Sequence, residues 1–376
     1  MTISFSIINT DGSARSGLMK TAHGIVKTPV FMPVGTYGAV KGIQPEDLKH
    51  LGSEIILSNT YHLMERPGKD IIRDIGGLRK FMNWDGPILT DSGGFQVMSL
   101  QNMAKIDANG VTFKSHIDGS LIRLTPRDSI EMQNALDSTI TMAFDECTSY
   151  PVSQEIALKS MNLSMKWAKL CRDSFIDRNG YGLFGIVQGS TYNDLRQKSS
   201  EKLLRIGFDG YAIGGLAVGE GHEVMVKTLK SSINYLPINK PRYLMGVGYP
   251  KDIIAGVKLG VDMFDCVIPT RSGRTGKIFT KNGTLNIKNS RHKNDPRPIE
   301  EGCLCKVCNN KISRAYLYHL FNTKEMLGAT YLTIHNINHY IQLMSTLREA
   351  INNNNYNETS NHLINEYKKG DIEIYN

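Results

Sequence analysis

Eight short apolar, β-prone runs recur along the chain, at 29–34, 54–58, 87–90, 140–144, 182–187, 211–214, 242–246 and 262–267. Most are separated by segments with helical spacing. Two of these open on capping signals: Thr125-Pro126-Arg127-Asp128 before Ile130, and Ser153-Gln154-Glu155 before a stretch ending near Cys171. Strand then helix, repeated, means parallel pairing, because a parallel neighbour needs a crossover long enough to hold a helix. Eight such units predict an α/β fold, a closed (β/α)8 TIM barrel, ahead of a doubly wound open sheet. A bare barrel takes about 250 residues, so a chain of 376 has length to spare for an addition.

The addition is expected after the eighth strand. There the pattern changes to a basic stretch with short β-like pieces (KIFTKNGTLNIKN), a cysteine cluster, and helical spacing in SRAYLYHLFNTKEML. We expect a catalytic barrel over 1–270, a basic, zinc-binding subdomain over 271–345 packed on it, and a tail with a short helix over 346–376. The low-complexity run INNNNYNETSN within the tail reads as a loop.

Cys303, Cys305 and Cys308 crowd into six residues, too close for three bridges. Cys-x-Cys-x2-Cys reads as thiolates around a cation, usually zinc, and a tetrahedral site wants a fourth ligand. His319, His335 and His339 stand downstream, and spacing alone does not choose among them. Four protein ligands would close the shell, making the metal structural. Cys147, Cys171 and Cys266 are scattered and read as core residues.

The net charge is +8, and nearly all of it has one address. Between 270 and 298, Arg271, Arg274, Lys277, Lys281, Lys288, Arg291, Lys293 and Arg297 face the single acid Asp295. Such a stripe attracts a phosphate backbone. No run approaches the roughly 18 apolar residues of a membrane span, and MTISFSIINTDG lacks the regions of a signal peptide. A cytoplasmic protein is expected.

Active sites of this fold are built at the C-terminal ends of the strands. Strand three runs into Thr90-Asp91-Ser92-Gly93-Gly94-Phe95-Gln96, and strand four into Asp145-Glu146-Cys147. Strand five ends at Gln188-Gly189, strand six at Gly214-Gly215-Leu216-Ala217-Val218-Gly219, and strand eight carries Asp265-Cys266. Singly, an Asp at a strand end is more often a cap or a loop hydrogen-bonder. Three on one face point to chemistry.

TDSGGFQ, FDEC, IVQG, GGLAVGE, YLMGVG, FDCVIPTR and the Cys-x-Cys-x2-Cys…His pattern, in this order over most of the chain, resemble the bacterial tRNA-guanine transglycosylase family. The resemblance implies exchange of guanine at the wobble position of G-U-N tRNAs for 7-aminomethyl-7-deazaguanine, a step toward queuosine. It implies a double displacement through a covalent ribosyl-aspartate, with Asp265 as nucleophile and Asp91 as acid and base. Asp145 would accept guanine's N1–H and N2–H2 as a fork. Gln188 and the Gly215 N–H would meet the remaining polar edge, Phe95 and Met245 would sandwich the ring, and Ser92, Gly93, Gly94 and Gly214 would line the pocket. Leu216 would offer its carbonyl to the aminomethyl group, with Glu220 steadying the peptide. Gly246, Val247, Gly248, Tyr249, Pro250, Lys251 and Asp252 match an RNA-contacting loop. Thr270, Arg271, Ser272, Gly273 and Arg274 match a segment that recognises neighbouring anticodon bases. The resemblance also picks His335 as the fourth ligand of one structural Zn2+, and implies a homodimer, with Tyr316 and His319 on its interface.

Rival classes predict different residues. A zinc-dependent barrel hydrolase needs strand-end histidines such as an early His-x-His, and the chain has none. No G-x4-G-K-[ST] phosphate loop is present, as suits the exchange of one glycosidic bond for another. The alternative within the fold is a non-catalytic tRNA-binding paralogue, which should lose nucleophile or base; Asp265 and Asp91 are both present.

Overall fold

The computed structural model describes residues 2–94, 96 and 104–375. The chain opens with an antiparallel sheet of β1 (Ser4–Asp11), β2 (Ala14–Thr21) and β3 (Gly24–Thr28). Next come β4 (Val30–Gly35), β5 (Ile56–Ser58) and β6 (Ile88–Thr90). A second antiparallel sheet, β7 (Ala104–Asp107), β8 (Gly110–Lys114) and β9 (Leu121–Leu124), interrupts before β10 (Ile140–Met142). Then follow β11 (Gly182–Val187), β12 (Gly210–Ile213), β13 (Arg242–Leu244) and β14 (Met263–Cys266). Strands β4, β5, β6 and β10 to β14 form a closed parallel barrel, sealed where β14 pairs with β4 from Met263 opposite Val30 to Cys266 opposite Pro33. All eight expected strands are the barrel strands.

The two capping signals work as their chemistry requires. Thr125 accepts from the Asp128 N–H while the Asp128 carboxylate accepts from the Thr125 N–H, a reciprocal cap on the helix Pro126–Ala135. Ser153 caps Gln154–Ser174 by accepting from the Ile156 N–H. Met32, Leu57, Leu89, Met142, Phe184, Ala212 and Met263 fill the barrel, and β4 and β11 are buried along their whole length. Such strands read as continuous apolar runs without alternation.

Neither antiparallel sheet was anticipated. β1 to β3 plug the N-terminal end of the barrel: the Ile3 N–H donates to Tyr181 just before β11, and Arg15 pairs with Asp262 just before β14. β1 is mostly exposed, so its apolar signal is weak.

Beyond the barrel lie the hairpin β15 (Lys277–Thr280) and β16 (Gly283–Asn286), the helices Lys306–Asn309 and Arg314–Asn322, and the long helix Met326–Asn352. The Asn-rich run departs from expectation. Its loop is only 353–355, and Tyr356 then opens the helix Tyr356–Tyr367. Tyr356 is buried and donates its hydroxyl proton to the Ile254 carbonyl at 2.7 Å, an anchor that polar composition conceals. No helix among the described residues is long and apolar enough to cross a membrane.

Candidate active site

The ends of β4, β5, β6 and β10 to β14 surround a cavity of about 500 Å³. Its wall includes Asp91, Ser92, Gly93, Asp145, Gln188, Gly214, Gly215, Leu216, Met245, Gly246 and Asp265, with Thr270, Arg271 and Arg274 at its margin. The three acids picked from separate strand ends therefore share one chamber.

Asp265 presents an edge to the cavity while protein surrounds its carboxyl group. Its Oδ1 accepts two hydrogen bonds, from the Tyr243 hydroxyl at 2.6 Å and the Gly246 N–H at 2.7 Å. Among the described residues Oδ2 carries none. Burial pushes its pKa up, and these two donors oppose the push.

Asp91 follows β6. Its Oδ1 accepts from the Thr60 N–H at 2.8 Å, and its Oδ2 from the Asn59 amide and from Gln96 Nε2, the latter at 2.7 Å. Burial nonetheless pushes its pKa up to about 6, with the Asp265 charge adding to the rise. A carboxyl poised near 6 is suited to both giving and taking a proton at neutral pH.

Asp145 accepts from Gln188 Nε2 at 2.7 Å and from the Ser92 hydroxyl at 3.5 Å. It is buried, and burial raises its pKa to about 6. Opposite stands the Gly214-Gly215 step. A Cβ at Gly214 would lie 2.8 Å from Gln188 Nε2, and one at Gly215 2.6 Å from Gln188 Oε1. Only glycine lets this backbone approach the amide so closely, and Gly215 also takes a positive φ of 66°.

The segment after Gly215 turns through Ala217, whose φ of 59° is left-handed. Glu220 lies beneath it, accepting from the Ala217 and Val218 N–H groups at 2.5 and 2.9 Å. In a trans peptide the carbonyl opposes the N–H, so tying down the Ala217 N–H directs the Leu216 carbonyl away from Glu220.

Gly94 stands behind the pocket, where a Cβ would meet the Asp145 carbonyl at 2.6 Å, and Phe95 lies outside the described residues. After Gly246, Val247 and Gly248 are buried, Tyr249 is exposed, and Pro250 opens the helix Pro250–Lys258. On that helix Lys251 is exposed and Asp252 pairs with His222. Arg271 and Arg274 are exposed on the helix Ile268–Thr275, Ser272 is half-buried, and Gly273 packs on the long helix at Thr333.

Further down the chain from Asp265 a second cluster forms. His335 Nδ1 lies 3.7, 3.6 and 3.4 Å from the sulfurs of Cys303, Cys305 and Cys308. All four ligand atoms lie within 4.8 Å of one another. Bonds of about 2.3 Å to sulfur and 2.0–2.1 Å to nitrogen give tetrahedral edges of that size. His335 Nε2 faces the Phe279 carbonyl at 2.9 Å, which only accepts, so the proton sits on Nε2 and the Nδ1 lone pair faces the thiols. His319 is exposed and His339 is half-buried, its ring against Phe279 and Tyr367.

A profile of the queuine tRNA-ribosyltransferase family matches residues 10–369. The chain belongs to that family. It is 57% identical over 351 residues to the queuine tRNA-ribosyltransferase of Granulibacter bethesdensis, covering 93% of each chain. With that of Rickettsia bellii it shares 56% over 348 residues, covering 93% of this chain and 96% of the relative. With that of a Ruegeria species it shares 54% over 347 residues, covering 92% of each.

The chamber also holds residues that the strand ends do not mark. Asn59 and Tyr243 donate to Asp91 and Asp265, and Lys41 and His62 line the wall. Asn59 follows β5, whose end carries no acid to mark it. Cys147 and Cys266 are corrected from core to pocket wall, and only Cys171 is fully buried core. Burial pushes the Cys147 thiol up to about 12 and that of Cys266 to about 11, so neither is a thiolate nucleophile at neutral pH.

Proposed function

We propose that this enzyme of the queuine tRNA-ribosyltransferase family exchanges guanine at the wobble position of G-U-N tRNAs for 7-aminomethyl-7-deazaguanine. The observation that carries the reading is Oδ2 of Asp265, without a hydrogen bond among the described residues, in a chamber shared with Asp91 and Asp145. Oδ2 attacks C1′ of the target ribose, the C1′–N9 bond breaks, and its electron pair leaves on guanine, which takes a proton from Asp91. The incoming base returns a proton to Asp91, its N9 attacks C1′, and the aspartyl ester bond breaks. Two inversions retain the sugar's configuration.

The target base must leave its anticodon stack, which costs about a few kcal/mol and less in a loop than in a duplex. Once inside, its N1–H and N2–H2 donate to Asp145, whose remaining lone pairs allow a fork while Gln188 stays bound. Gln188 and the Gly215 N–H meet the opposite edge, between Met245 and Phe95. Ser92, Gly93, Gly94 and Gly214 shape the walls. The Leu216 carbonyl, set by Glu220, accepts the aminomethyl ammonium. Arg271 and Arg274, with Thr270, Ser272 and Gly273, face the neighbouring nucleotides, and the 246–252 loop grips the backbone through Lys251 and Tyr249.

Cys303, Cys305, Cys308 and His335 would hold one Zn2+ as a closed structural site, supplying fold stability and no catalysis. Tyr316, 42% exposed, and Met326, 85% exposed, leave apolar surface beside the helix Arg314–Asn322, which we assign to a homodimer interface. A tRNA substrate is consistent with the cytoplasmic location proposed here.

The test is incubation with labelled guanine and unmodified tRNA carrying a G-U-N anticodon. Label enters the tRNA with wild type, and Asp265→Asn folds and binds tRNA yet gives no covalent adduct on a denaturing gel. An adduct persisting in that variant would move the nucleophile elsewhere.

A further inference from the structure

Behind the pocket wall, on the helix Asn193–Ile206, lies a guanidinium that the chemistry above leaves unused. Arg196 is fully buried. A buried cation is costly unless its donors are met, and here the acceptors are backbone carbonyls. Nη1 donates to Val187 at 3.1 Å and to Gly214 at 2.7 Å, Nη2 to Gly215 at 3.4 Å, and Nε to Ser190 at 2.7 Å. Burial lowers its pKa to about 10, so it stays charged at neutral pH.

The positions of those carbonyls give the arrangement its meaning. Val187 and Ser190 bracket Gln188 at the end of β11, and Gly214 and Gly215 follow β12. One rigid planar group thus bridges two adjacent strand ends at the level where each delivers a group toward the base. A Cβ at Gly215 would lie 2.6 Å from Gln188 Oε1 and 3.5 Å from Arg196 Nη2, so amide, glycine backbone and guanidinium are in immediate succession. Lysine could supply the charge but not a planar fork.

We propose that Arg196 is a positioning residue for base recognition, fixing the separation of the Gln188 amide and the Gly215 peptide so that both meet one edge of a planar purine-like base. This rests on the base-exchange reading above. A wall that spreads by a fraction of an ångström loses the base while leaving the distant RNA-binding margin intact.

The experiment compares wild type with Arg196→Lys and Arg196→Gln by KM for guanine, KM for tRNA and thermal melting. Arg196→Lys is expected to melt cooperatively, to raise KM for guanine at least tenfold, and to keep KM for tRNA within twofold. An unchanged guanine KM in a folded variant overturns the proposal, as does an equal rise in both constants, which marks general damage. If neither variant folds, wild type decides: in protein labelled with 15N-arginine, the most exchange-protected Nε–H signal shifts on adding guanine, and no shift at saturating guanine overturns the proposal. Wild type that incorporates no guanine removes the reaction assignment itself and this inference with it.

Discussion

Replacing Asp145 with Asn should stabilise the protein while disabling it. Burial raises the folded-state pKa of Asp145 from 3.8 to about 6, a difference worth about 3 kcal/mol. The sign follows from where the protons are. Between pH 3.8 and 6 the folded state holds a proton that the unfolded chain has released, so stability falls as pH rises through that window. Above it, the wild type carries the full cost of an ionised, desolvated carboxylate. An amide of the same shape carries none. It keeps both hydrogen bonds, accepting from Gln188 on oxygen and donating to the Ser92 hydroxyl on nitrogen. Urea unfolding of the two proteins at pH 8 should therefore show Asp145→Asn more stable by up to about 3 kcal/mol, with the gap closing below pH 4. Base exchange should fall roughly 10²- to 10³-fold, because a buried ionic hydrogen-bond fork to guanine is lost. A variant destabilised equally at pH 4 and pH 8 would refute the reasoning, for it would show that the carboxylate is not held against its own ionisation.

Two further outcomes follow from the same geometry. On the proposed mechanism recognition needs Asp145 ionised and Asp91 cycles its proton, and burial brings both pKa values to about 6, so kcat/KM for guanine should decline as pH falls through 6; a flat profile down to pH 5 would contradict it. Cys305→Ser, or exhaustive chelation, should release one Zn2+ by elemental analysis and lower stability by several kcal/mol. tRNA affinity should weaken in parallel, because Asn336, beside the ligand His335, donates to the Pro269 carbonyl in the helix bearing Arg271 and Arg274.

The barrel was legible because a parallel strand buried on both faces leaves an unbroken apolar run, and most runs are followed by a segment with helical spacing. The acids were legible because strand ends of this fold converge, so Asp91, Asp145 and Asp265 could be picked from three distant segments. Their partners could not. Asn59 acts on Asp91 across 32 positions of sequence, and Tyr243 on Asp265 across 22. Nothing local distinguishes them from any polar residue near a strand. Arg196 was hidden for a different reason: in sequence it is a basic residue on an amphipathic helix, whereas in the fold that helix turns it inward. The choice among His319, His335 and His339 likewise depends on which face of a helix meets the cysteines, which spacing does not say.

Two aspartates on one strand show how the fold divides its labour. Asp262, just before β14, is buried and Asp265, within it, is half-buried, and desolvation pushes both pKa values up. At the closed end, Asp262 meets the Arg15 guanidinium through two bonds and accepts from the Arg242 N–H at 2.7 Å. Arg15 in turn comes from the N-terminal sheet that plugs the barrel. At the open end, among the described residues, Asp265 accepts only from a hydroxyl and an amide. A cation beside Asp265 would lower its pKa and stabilise the fold, but it would also neutralise the oxygen proposed above to bond to an electron-poor sugar carbon. The barrel tolerates three under-compensated carboxylates at its mouth because charge pairing and apolar packing are concentrated elsewhere. This is the expected compromise of a site built for reactivity on a scaffold built for stability.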